Sequence, residues 1–356
     1  MCVAARRAAG DAKHAIPEQR LDDERIIVLA LADSVLLTPR FLQSVFGLKR
    51  AIRSTLRARF AKSVLDRRPA LIVLLYHAVD PSPPQYLRDL GVVTHPHAFE
   101  DHLLWAKSCF ELVSLSEGIR RLRSGTLTKT CLALTFDDGL KSVADHALPV
   151  LIRHGIPAAL FVNHASLTGR RCWIYDVAQL ESEGRKEALE EVFGTSCPGL
   201  FSSYLRHQAP ADVLARRSGL TDLSSSLNGN RVEYINHEEL AQLLESPLME
   251  LGNHSLDHPR FSRLDANEQC RQINGNAEAL AGFAGYQRFF ALPFGRPADW
   301  NMDTVQACAA ARHEFVSACG GVNFARTASI DIRRVPCDGV GGGQLMDHIT
   351  RRGIGI

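Results

Sequence analysis

The chain has 356 residues, 46% of them hydrophobic and 22% charged, an ordinary soluble composition that fits one large domain or one domain with a modest extension. Its 41 Lys and Arg stand against 39 Asp and Glu, a net charge of +2, so no global field points to nucleic acid as a partner. The nine Cys are scattered, with no CxxC pair, which argues for reduced thiols and against a disulfide framework or a zinc–thiolate site.

Residues 1–38 show no clear pattern. "MCVAARRAAGDAKH" is polar and lacks a secretory layout, and the apolar stretch that starts at residue 26 is interrupted by Asp33 and too short to span a bilayer. The expected location is cytoplasmic. Residues 40–68 hold nine Lys or Arg against a single acid, Asp66. Phe41, Val45, Leu48, Ile52, Leu56 and Phe60 recur there at spacings of three and four, the pattern of an amphipathic basic helix. Its apolar stripe would pack on the main domain; the competing reading is peripheral attachment to an anionic membrane surface, on the inner face.

From residue 70 onward, short apolar runs alternate with helical patterns. Strands are expected at "LIVLLYH" (71–77), "LALTF" (132–136), "AALFVN" (158–163), "MELGN" (249–253), "RFFALPFG" (288–295), "EFVSACG" (314–320) and "IRRVPCD" (332–338). Helices are expected at 97–109, 144–155 (ending at Gly155), 237–246 (capped by Asn236) and 267–283. Strand–helix alternation implies a parallel sheet closed as a barrel, an α/β fold. Residues 165–235 break the rhythm. They contain a charged helical piece, "ESEGRKEALEEVFG", and a polar loop, "LTDLSSSLNGN", and read as an inserted lid or side subdomain. The expected organisation is therefore an extension over 1–69 and a catalytic domain over 70–356.

In a parallel barrel the reactive groups collect where strands end. Asp137-Asp138 follows the 132–136 strand; Asp-Asp-Gly is also a good turn sequence. His254 and His258 follow the 249–253 strand in "GNHSLDHP", a spacing that can aim two imidazoles at one point, although fourteen His make chance pairs common. Two imidazoles and one carboxylate form a three-ligand metal site with an open position. A second carboxylate beside the first then suits proton abstraction from water.

"TFDDG" followed by "HSLDHP" resembles the polysaccharide deacetylase family, the metal-dependent carbohydrate esterases that include nodulation-type chitooligosaccharide deacetylases. The context "LPVLIRHGIPAALFV" (148–162) and the "LPFG" turn extend the resemblance over roughly residues 70–340. It implies a distorted (β/α) barrel of that type, with a helical insertion and an N-terminal helical extension. It implies Asp137 as general base and Asp138, His254 and His258 as ligands of a divalent metal, by default Zn2+, with Co2+ or Ni2+ compatible. It also implies that Pro293, Phe294 and Gly295 form a turn lining a sugar groove, with the Phe294 N–H on the oxyanion. The substrate implied is an N-acetylated glycan.

The sequence departs from the family pattern twice. The Arg that usually precedes the turn and orients the base is replaced by Ala291, so Asp137 is oriented differently or Arg288 or another side chain substitutes. No Leu-x-His motif follows residue 296, where only His313 and His348 remain. Leu75-Tyr76-His77 supplies one at the front of the chain, an order resembling some biofilm-polysaccharide deacetylases in which the last strand has moved to the start. His77 is then the expected general acid. Two alternatives stay open: a catalytically impaired carbohydrate-binding relative, and a deacylase acting on a different amide or ester.

Overall fold

Three of the expected strands, β1 (Ala70–Tyr76), β2 (Cys131–Phe136) and β3 (Ala158–Val162), are buried at every residue. Strands of a parallel sheet covered on both faces read as continuous apolar runs for this reason. The structure is a computed structural model; it describes residues 61–170, 172–197, 199–200, 219–220, 222–223, 231–325 and 330–354. Next come β4 (Met249–Asn253), β5 (Tyr286–Ala291), β6 (Glu314–Ser317) and the short β7 (Asn323–Phe324), β8 (Ile332–Arg333) and β9 (Val335–Pro336). The sheet order is β7-β1-β2-β3-β4-β5-β6-β8, parallel except for β7 against β1. β8 pairs with β6 and β9 pairs with β1. The segment 332–336 therefore bridges the first and last long strands and nearly closes the sheet into a distorted (β/α) barrel.

Alternation along the strands sorts their side chains into two cores. Ile72, Leu74, Leu134, Phe136, Leu160 and Leu251 face outward onto the helices α2 (Pro96–Cys109) and α4 (Leu148–His154), meeting Phe99, Leu103 and Leu151. Leu71, Val73, Ala133, Phe161, Ala291, Val316 and Ile332 share the opposite face with Leu115 and Ile119 of α3 (Leu115–Ser124). Gly252 belongs to this inward face: a Cβ there would lie 2.4 Å from the Phe161 ring. The helix expected over 144–155 begins as a π-helical turn, Val143–Ala147, before α4, and Gly155 ends it at φ 63°. Asn236 caps α7 (His237–Leu243) with a complete capping box, and α8 (Ala266–Leu280) and α9 (Met302–Ala310) cover the β4–β6 side.

Among its described residues, the insertion expected over 165–235 contains helices. Besides the short α1 (Gln85–Leu90), which precedes it in the chain, the region holds α5 (Trp173–Ser182) and α6 (Lys186–Phe193). Tyr86 and Leu87 of α1 share one apolar cluster with Trp173, Val177, Leu189 and Leu220. Most of the polar loop at 220–230 lies outside the described residues. Residues 61–67 are helical, with Ala61 and Leu65 buried. Residues 40–60 of the basic helix expected over 40–68 lie outside the described residues, and Arg68 lies past the helix end. Among the described residues no helix is long and apolar enough to cross a membrane.

Candidate active site

Strand parity places the reactive groups. Leu75 of β1 sits opposite Thr135 of β2, both one pleat beyond the inward-facing Val73 and Ala133. Two residues further on, the inward positions are His77 and Asp137. The same step carries the row Gly252 to His254, and the row Ile332, Arg334, Pro336 to Asp338. These rows converge at one end of the barrel on a cavity of about 240 Å³, lined among others by Leu75, His77, Asp137, Asp138, His254, His258, Phe294 and Asp338. Pro293 and Gly295 shape the turn without lining it. A Cβ on Gly295 would meet the Ala318 Cβ at 2.4 Å, and its φ is 70°.

Asp138, His254 and His258 form a buried group whose ligand atoms lie within 4.8 Å of one another. The His254 and His258 Nε2 atoms stand 3.3 and 3.5 Å from Asp138 Oδ1. His254 Nδ1 donates to the Ala291 carbonyl at 2.8 Å, which leaves Nε2 with its lone pair toward the carboxylate. Burial lowers the His258 pKa to about 4, so its imidazole is neutral at neutral pH. Burial works against the Asp138 charge, but the histidines around it outweigh this and hold the carboxyl well below the usual range. Asp138 Oδ1 is buried and has no hydrogen-bond donor, an arrangement that would cost about 1–3 kcal/mol if left so. An oxygen without a donor facing two imidazole nitrogens fits a divalent cation, and the three donors leave a position open.

Asp137 is buried beside this group, with Oδ2 3.9 Å from His254 Nε2. Arg334 grips it with both arms, Nη1 to Oδ1 at 2.7 Å and Nη2 to Oδ2 at 2.8 Å. The guanidinium is fully buried, 5.3 Å from the Phe161 ring, and also reaches Thr135 and the Ser317 carbonyl. Burial raises the Asp137 pKa, but Arg334, joined by His254 and His77, outweighs it, and the carboxylate is held ionised. Arg334 thus fills the place that Ala291 leaves empty. Arg288 does not: it is exposed and donates to the Ala311 carbonyl.

His77 lies across the cavity, Nε2 4.0 Å from Asp138 Oδ2. Its Nδ1 donates to Asp338 Oδ2 at 2.6 Å, and its backbone N–H donates to Asp338 Oδ1. Burial opposes its charge, but Asp338, joined by Asp138 and Asp137, prevails and raises its pKa to about 9. His313 and His348 are engaged elsewhere, with Tyr286 and the Pro336 carbonyl. Sequence reasoning missed Arg334 and Asp338, whose place depends on the pairing of residues 332–336 with two distant strands.

Backbone strain concentrates here. Among the described residues, five non-glycine positions have positive φ, and four of them are Asp138, Ser255, His258 and Phe294. Such conformations cost about 1–3 kcal/mol each and persist where surroundings enforce them. Below the Asp138–His254–His258 group, the Asn163 amide donates to the His254 and Ser255 carbonyls, and the His258 N–H donates to Ser255 Oγ.

The family model described as polysaccharide deacetylase matches residues 124–316, more than half of the chain. The match holds Asp137, Asp138, His254, His258 and the Phe294 turn; His77, Arg334 and Asp338 fall outside it. Among solved structures, the chain is similar to the deacetylase PplD of Streptococcus pyogenes in complex with acetate, at 16% identity and TM-score 0.53, covering 79% of this chain and 99% of that one. It is also similar to IcaB of Ammonifex degensii, at 20% identity and TM-score 0.50, over 79% of this chain and 97% of that one. A third is BC0361 of Bacillus cereus, a polysaccharide deacetylase, at 15% identity and TM-score 0.50, over 79% and 69%. No curated relative matches the sequence.

Proposed function

The chain belongs to the polysaccharide deacetylase family, hydrolases of the amide bond in N-acetylated glycans, and we propose that it removes N-acetyl groups from N-acetylhexosamine units of a poly- or oligosaccharide. The observation that carries this is the constellation around Asp138 Oδ1: two imidazoles, an ionised Asp137 and an Asp338-supported His77 on one cavity. Asp138, His254 and His258 would hold a divalent ion, zinc by the default of a His2Asp donor set. Such an ion acidifies water and polarises the acetamide carbonyl. Asp137 takes the proton from the attacking water. The Phe294 N–H donates to the oxygen on which negative charge develops. His77 delivers its proton to the leaving nitrogen as the C–N bond breaks, and acetate and a free amino sugar result. Leu75, Leu292 and Ile174 give the cavity an apolar wall suited to the acetyl methyl.

Appearance of free amines on N-acetylglucosamine oligomers, read with an amine-reactive label, tests the reaction type. Acetate release from O-acetyl esters alone, with no amine formed, would move the chain to the ester reading. His77→Ala is expected to lower kcat about 10²–10⁴-fold, the range for a positioned proton donor, with metal content unchanged; an unaltered kcat would remove His77 from the acid role. Asp338→Asn takes away the main group that raises the His77 pKa. Less His77 is then protonated at a given alkaline pH, so the basic limb of the pH–kcat profile should move to lower pH. A limb that stays in place, or moves up, contradicts the assignment.

A further inference from the structure

Helix α5, from the insertion, reaches the metal group at two points. Tyr175 is buried, and its hydroxyl donates to Asp138 Oδ2 at 2.5 Å. Trp173, two residues earlier, donates its indole N–H to the carbonyl of His258 at 3.1 Å and meets the Phe294 ring edge-on. Burial and the neighbouring Asp138 charge push the Tyr175 pKa well up, so the phenol keeps the proton it donates. The two oxygens of Asp138 therefore differ: Oδ1 faces His254 and His258 without a donor, whereas Oδ2 is occupied by Tyr175. Oδ2 is also the oxygen closest to His77 Nε2, which stands off at 4.0 Å.

We propose that Tyr175 is a positioning residue of the metal centre, which holds Asp138 as a ligand through Oδ1 alone and ties the insertion to the site. This rests on the reading of Asp138, His254 and His258 as metal ligands. A carboxylate with one oxygen held by a phenol presents a single oxygen in a fixed direction, and partners of this kind set ligand orientation and basicity. The same hydrogen bond supplies Oδ2 with a donor, so His77 is not drawn into an ion pair there. The segment 165–235 is then more than a cover, because part of it is the outer wall of the ligand set.

The test uses the full chain and the isosteric variant Tyr175→Phe, which deletes only the hydroxyl. Zinc affinity, measured by competition with a chromogenic chelator, should fall about 10–100-fold. The visible spectrum of the cobalt-loaded variant should change from that of wild type, as Oδ2 becomes free to join the coordination. Should Tyr175→Phe lower the melting temperature of the metal-free protein, the readout is the rise in melting temperature on adding zinc, which should be smaller in the variant at equal zinc. Equal affinity, an unchanged cobalt spectrum and an equal zinc-induced rise would overturn the proposal. Wild-type protein that binds neither zinc nor cobalt would instead overturn the metal reading beneath it.

Discussion

Asp137→Asn is expected to lower kcat about 10²–10⁴-fold, the contribution of a positioned proton acceptor, while the protein retains its bound metal. The carboxylate is 3.9 Å from His254 Nε2 and has no place in the three-atom ligand group, so it flanks the place where an attacking water would be held. An amide of the same shape can accept a hydrogen bond there but cannot take the proton. The substitution also leaves the fully buried Arg334 without its counter-charge, so stability should fall in parallel. Kinetics and metal content on the same preparation, at a temperature where both proteins are folded, separate the two effects. Loss of metal together with activity would move Asp137 into the ligand set. Retained turnover would remove it from the base role.

Arg334→Met is expected to cost about 3–5 kcal/mol of stability, the range for removing one partner of a buried ion pair. Methionine fills much of the volume, so the loss is electrostatic: Asp137 remains buried with no guanidinium. The sign of the pH effect follows. Arg334 holds the Asp137 pKa below its ordinary value, and its removal leaves burial, which raises it. The acid limb of the kcat/KM profile should therefore move to higher pH. Arg334→Lys keeps a charge but loses the two-armed grip and should fall between. Replacing both partners, as Asp137→Leu with Arg334→Met, should recover much of the stability and none of the activity, because no unpaired charge is left. Denaturant midpoints of wild type, Asp137→Leu, Arg334→Met and the double variant give the coupling. A stability loss below about 1 kcal/mol in Arg334→Met, or an acid limb that does not move, would show that the pair does not set the state of Asp137.

Asp137-Asp138 and His254 with His258 were legible because each pair is local in sequence and follows an apolar strand. His77 was legible for the same reason, at the end of a fully buried seven-residue strand. Arg334 and Asp338 were not. Their place depends on residues 332–336 pairing with β6 through one half and with β1 through the other, a closure between segments about 260 residues apart that no local pattern announces. The missing Arg at position 291 could be noticed, but not where its replacement would come from. Once Arg334 and Asp338 are in place, the two features that favoured a catalytically impaired relative, an unsupported base and a displaced acid, lose their force.

Among the helices that escaped sequence reading, α3 and α5 did so for different reasons. In α3 the central Gly118 looks like a breaker. It is there because α3 lies so close to β1 that a Cβ would come within 2.6 Å of a Leu71 methyl. Helix α5 starts without a side-chain cap, so nothing marked its beginning. Its contact with Asp138 lies across an insertion that sequence could delimit but not fold.

Metal dependence is the part of the account on which every assigned role depends. The most direct measurement is acetate release from short chitooligosaccharides by wild-type protein, stripped with a chelator and then reloaded with one equivalent of zinc. The account predicts no release from the stripped protein and restored release after reloading. Release that survives complete removal of metal, or protein that takes up zinc and still frees no acetate, would contradict it.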